Sequence, residues 1–147
     1  MANVTDVAKY ILESLGEITA MKLQKLVYYS QAWNLVWEEQ PLFNEEIQAW
    51  ANGAVVPALY NYHRRQFSVI PENIPRNIDN ITPNQKANID KVLEFYGSYT
   101  AQQLSDINHQ ESPWITARGD YPPMANCNNP ILIATIYEYH SGIWNDT

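Results

Sequence analysis

A chain of 147 residues, 46% of them apolar or aromatic, can bury one core without disulfide or metal staples, and residues 1–147 are read as a single domain. Nine basic against sixteen acidic side chains leave a formal charge of −7, which argues against sequence-independent nucleic-acid binding, because that depends on Lys and Arg neutralising phosphates. The single cysteine, Cys127, closes no disulfide within the chain, no leader-like apolar run follows Met1, and the uncharged stretch 52–62 is too short and broken to span a bilayer, so a cytoplasmic protein with no membrane span is expected.

Apolar residues at Val4, Val7, Ala8, Ile11, Leu12 and Leu15 recur at the spacing of an amphipathic helix, which Gly16 ends. A second helix is expected from Thr19, as N-cap, to about Glu38. Its apolar residues, among them Leu23, Leu26, Val27, Tyr29, Trp33 and Val36, surround most of the circumference, so it should be central. The polar remainder, Gln24, Tyr28 and Gln31 flanked by Lys22 and Lys25, is a narrow seam that either lies at the surface or holds a buried hydrogen-bond network. Beyond Pro41, the alternation around Ile47, Ala49 and Val55-Val56 predicts a small hairpin turning at Asn52-Gly53, and Pro57 opens a third helix carrying Leu59, Tyr60 and His63 on one face. The His63-Arg64-Arg65 cluster is read as a solvated helix end.

Residues 68–81 have no clear periodicity and are expected to form an ordered surface loop. Thr82-Pro83 caps a helix whose stripe is Ile89, Val92, Leu93 and Tyr96, ending at Gly97, and Thr100 caps another that runs to about Gln110. A further turn or helix begins at Ser112-Pro113-Trp114, a Pro- and Asn-rich loop follows to Asn129, and Asn129-Pro130 repeats the cap-plus-proline device before a last helix with Ile133, Ile136, Tyr137 and His140. The expected fold is mainly α with an α+β element: a compact multi-helix domain with a small β-hairpin between its second and third helices.

No glycine-rich phosphate loop, paired-cysteine or HExxH spacing, or Gly-x-Ser-x-Gly turn occurs, so no enzyme, no cofactor and no metal site is expected. His109 with Glu111, and Arg118 nearby, is the one cluster that could serve a small hydrolase or transferase. The plainer role for His109 is to fix a helix end by hydrogen bonding. Cys127 as a nucleophile would need a neighbouring base that the sequence does not supply. Most of the aromatic residues, Trp33, Trp50 and Trp114 among them, are read as core, while any left exposed would point to a protein partner.

Two blocks go further. The first runs from Met21 to Trp33 (MKLQKLVYYSQAW), continues with Pro41-Leu42-Phe43, and ends with Ile47 to Tyr60 (IQAWANGAVVPALY). The second is Leu104 to Trp114 (LSDINHQESPW) with Ala117-Arg118. In order and spacing these resemble the Panacea domain of the SocA-like antitoxins and phage-associated proteins. Ala54 stands where that family usually has a proline after the glycine, and Asn108 where it has a threonine before the histidine. The resemblance implies a chiefly helical domain that neutralises a toxin encoded in a neighbouring gene, often by direct binding, although one member type delivers its toxin to a protease.

On that basis Gln24, Lys25, Tyr28, Gln31, Asn52, Gly53 and Tyr60 are the candidate partner contacts. Leu23, Leu26, Trp33, Trp50, Val56, Pro57, His109, Pro113 and Trp114 are the motif residues expected to build the shared scaffold. The expected partner is a cognate protein toxin, with a cytoplasmic protease as a further partner if the chain is a delivery adaptor. The other readings are a phage-encoded protein that binds a host target, and a small enzyme dependent on His109.

Overall fold

Every residue from Leu23 to Leu35 is buried in a computed structural model of the chain, which describes residues 2–74 and 78–146. These residues belong to α2 (Ala20–Glu38), the axis of the molecule. Its start follows from Thr19, whose Oγ1 accepts the Lys22 N–H at 3.2 Å, and it ends at Glu39 in the left-handed region. A helix that is apolar on nearly all sides has to be covered on nearly all sides. α1 (Val4–Leu15), α4 (Pro83–Tyr96), α5 (Ala101–His109) and α7 (Ile133–Asn145) all pack against it.

The remaining elements are short. β2 (Gln48–Trp50) and β3 (Gly53–Val55) form an antiparallel hairpin in which Ala49 faces Ala54 and Trp50 faces Gly53, with Ala51 and Asn52 in the turn. Gly53 has φ +112, a conformation that L side chains rarely adopt. α3 (Pro57–His63) follows with proline in its first turn, and α6 (Ser112–Arg118) packs on β2 and α7. The fold is mainly α, with two small antiparallel pairs among the described residues.

The cap signals at Thr82 and Thr100 are both realised as capping boxes. Thr82 N–H donates to Gln85 Oε1 at 2.9 Å and Gln85 N–H to Thr82 Oγ1 at 3.1 Å, and Thr100 and Gln103 repeat the same distances.

Five expectations need correction. The hairpin turns at Ala51-Asn52, one residue before the expected Asn52-Gly53, and Trp50, read as core, is only half-buried. The segment 68–81 is not simply loop: β4 (Ser68–Val69) pairs with β1 (Ile18–Thr19), short 3₁₀ turns follow, and Val69 and Ile74 are fully buried. Positions 75–77 of that segment lie outside the described residues. Asn129-Pro130 does not open the last helix. Asn129 O accepts from Ala49 N at 2.9 Å and Ile131 N donates to Ile47 O at 2.8 Å, so the chain lies along the edge of β2 first. Proline fits there because its neighbours supply those bonds. His63 is not a solvated helix end but is buried, while Arg64 and Arg65 are exposed.

Candidate functional site

The polar seam of α2 is internal: Gln24, Lys25, Tyr28 and Gln31 are at most 2% exposed. Buried polar groups need partners, and the seam finds them in the backbone that follows α2. Gln31 Nε2 donates to Phe43 O at 2.7 Å while its Oε1 accepts the Leu42 N–H at 2.6 Å. Two helical turns earlier, Gln24 Oε1 accepts the Val56 N–H at 2.9 Å and Gln24 Nε2 donates to Val56 O at 3.4 Å. Between them, Lys25 Nζ donates to Ala54 O at 3.0 Å. Three side chains on one helix thus hold two separated stretches of loop and strand. Tyr28 is packed edge-on against the rings of Tyr29 and His140.

The electrostatics of this region are unusual. Lys25 is fully buried and forms no ion pair with a carboxylate among the described residues, and desolvation holds its ammonium down to about 7. Glu111 accepts from Tyr29 Oη at 2.9 Å and from Asn108 Nδ2 at 3.2 Å, and burial pushes its carboxyl up to about 7. Asn108 links the two, because its Oδ1 accepts the Ala54 N–H at 2.7 Å.

A cleft of about 710 Å³ opens between the start of α2, the hairpin turn, α3 and the loop at 126–128. Gln24, Lys25, Asn52 and Tyr60 line it, so four of the seven candidate contacts come together there. Gly53 lies behind it, where an added Cβ would come within 2.5 Å of Lys25 Cε. Tyr28 and Gln31 lie deeper and do not line it. Trp50 and Tyr60 meet edge to face with ring centroids 5.0 Å apart on its wall. His63 also lines it: Val56 N–H fixes Oε1 of Gln24, so Gln24 Nε2 donates to His63 Nε2 at 2.9 Å and the imidazole is neutral. Burial, then the charge of Lys25, keeps His63 below its ordinary value.

Met21, His63, Arg65 and Cys127 were missed as lining residues. His63 carried a misleading signal, since it precedes two arginines, and Cys127 sits in a segment without periodicity.

His109, Glu111 and Arg118 do not converge on the cleft. His109 lies over Trp114 with ring centroids 4.3 Å apart. Trp114 Nε1 in turn donates to Trp50 O at 2.8 Å. Arg118 directs Nη1 at Ala49 O and Nη2 at the carbonyls of Pro122 and Ala125, at 3.0, 2.6 and 2.7 Å. The trio is used to tie the hairpin and the loop after α6 to the body. Among the described residues, no group of three or more His, Cys, Asp or Glu could hold a metal ion, and no helix is long and apolar enough to cross a membrane.

Residues 23–115, more than half of the chain, match the family described as antitoxin SocA-like, Panacea domain. This chain belongs to the SocA-like Panacea family. No curated protein and no solved structure matches it. The matched region of the Panacea domain runs from the first turn of α2 into α6, and it contains the seam, the hairpin and α5.

The structure gives the motif spacing of the Panacea domain a physical cause. Gln24 and Gln31 stand two turns apart because each must meet a different backbone segment from one face of α2. Leu23, Leu26 and Val56 are fully buried beside them, and Trp33 and Trp114 nearly so. Pro57 begins α3, and Pro113 lies in the first turn of α6. α1 and α7, outside the match, cover the remaining sides of α2.

Proposed function

We propose that the chain is an antitoxin that neutralises, by direct protein–protein binding, a toxin encoded in a neighbouring gene, and that the cleft is where it meets this partner. The observation that carries the proposal is the match to SocA-like antitoxins over residues 23–115, which supply ten of the fifteen described residues lining the cleft. Gln24 and Lys25 form the side toward α2, Asn52 and Tyr60 the side toward the hairpin and α3, and Gly53 keeps the hairpin close to Lys25. Tyr28 and Gln31 act from behind by holding the frame. The protein performs no catalysis in this scheme, and it works in the cytoplasm beside its toxin.

Co-expression with the adjacent open reading frame tests it. The neighbouring product should stop growth alone, and this chain should restore it. A product harmless alone, or lethal in both cases, would refute the proposal. Toxin half-life separates direct neutralisation, in which it is unchanged, from delivery to a protease, in which it shortens only in cells containing that protease.

A further inference from the structure

Among the described residues, fifteen line the cleft and none is Asp or Glu, although acidic side chains outnumber basic ones sixteen to nine in the chain. Lys25 and Arg65 both line it, and the Arg64 guanidinium lies 5.8 Å from the centroid of the Tyr60 ring at its edge. Lys25 has three N–H donors, one directed at Ala54 O, and among the described residues no carboxylate ion pair balances its charge. Arg65 holds φ +69, a left-handed conformation in which glycine or asparagine is the easier residue. An arginine kept there despite the backbone strain suggests a use for its side chain.

We infer that the cleft takes an acidic segment of the protein partner, with an Asp or Glu carboxylate held by the exposed Arg65, the buried Lys25 adding positive potential from behind, and an adjoining apolar or aromatic side chain seated against Trp50 and Tyr60. That the occupant is a protein rests on the antitoxin proposal above. The acidic character rests on the cleft itself: a site without carboxylates, in a chain of charge −7, attracts one or two negative charges locally while the rest of the surface repels a polyanion such as a nucleic acid. A carboxylate entering the partly desolvated cleft also meets a stronger field than it would in water.

Panning random dodecapeptides displayed on phage against the full chain, with the Arg65→Glu chain as counter-target, tests this. Arg65 is exposed, so the substituted chain should fold, and circular dichroism checks that. Enriched peptides should carry Asp or Glu beside an aromatic or aliphatic residue. Synthetic copies should bind the Arg65→Glu chain about tenfold or more weakly, and raising salt from about 0.05 to about 0.5 M should weaken them several-fold. Enrichment without acidic residues, affinity unchanged in Arg65→Glu, or no enriched peptide at all would overturn the inference. Growth rescue by a chain that selects no acidic peptides would sink this inference alone. Acidic peptides bound by a chain that rescues nothing would sink the antitoxin proposal alone.

Discussion

The backbone N–H of Ala54 donates to Asn108 Oδ1 at 2.7 Å, joining the hairpin to α5. A proline at 54 would have no N–H to give, so an acceptor at 108 would be unanswered. Here alanine supplies the donor and asparagine the acceptor. Because Ala54 faces Ala49 across the hairpin while its O and N–H go to Lys25 and Asn108, a proline there breaks no ladder bond. Ala54→Pro alone should destabilise the protein by roughly 1–3 kcal/mol, as should Asn108→Thr alone, each leaving one buried polar group unmatched. The double substitution should cost less than the sum of the two. Urea unfolding of all four proteins measures the coupling, and strict additivity would mean that the contact is not what links these positions.

Gly53 is the tightest point of the hairpin. A Cβ there would lie 2.5 Å from Lys25 Cε and 2.8 Å from Asn108 Oδ1, whereas at Gly119, φ +59, nothing lies within 4 Å. Gly53→Ala should therefore cost about 3 kcal/mol and shift the midpoint of urea unfolding sharply, while Gly119→Ala should cost about 1 kcal/mol from backbone strain alone. Equal losses would show that crowding against Lys25 contributes nothing.

Tyr28 and Tyr60, both candidate contacts, should separate experimentally. Tyr28 is fully buried and Tyr60 only half-buried on the cleft wall. Tyr28→Ala removes core volume and should cost roughly 3–5 kcal/mol, losing rescue because the fold is lost. Tyr60→Ala should keep a cooperative thermal transition yet fail to rescue in co-expression. Full rescue by Tyr60→Ala would move the contact surface away from the cleft.

The pH dependence of stability should carry the mark of Lys25. Its folded value, about 7, lies below its ordinary 10.5, so between these limits the unfolded chain binds a proton that the folded chain does not. Stability then rises with pH from about 7 to 10, by on the order of a few kcal/mol. Above that, Tyr10 and Tyr96, pushed up to about 12, reverse the trend. Glu111, raised to about 7 from 4.5, makes stability fall between those values, whereas His140, lowered to about 4 from 6.5, makes it rise over nearly the same range. His63 and His109, also held below their ordinary values, add to the rise, so the acid side should slope upward in the parent protein and more steeply in Glu111→Gln. Urea midpoints measured across pH at constant ionic strength check both limbs, and Lys25→Met should remove most of the alkaline rise, leaving the smaller part due to Lys22, which burial also lowers.

The helices were legible because their signals are local. Thr82-Pro83 and Thr100 dictate their caps within one turn, and the encircling apolar residues of α2 can be satisfied only at the centre of a fold. The order and spacing of the motif likewise identified the family from the sequence alone. Where a signal depended on a distant partner, local reasoning divided or failed. Gln24, Lys25 and Gln31 fitted a surface seam as well as a buried network, and Asn129-Pro130 matched a helix start although the edge of β2 captured it first.

The sequence by itself determined a mainly helical protein of this family, because periodicity, capping and motif spacing act over a few residues. Only the tertiary structure decided that the seam is an internal clamp and that Lys25, Asn52, Tyr60, Arg65 and Cys127 meet around one cleft. Those residues are up to about a hundred positions apart, and only the packing of α2, α3, the hairpin and the loop at 126–128 brings them together.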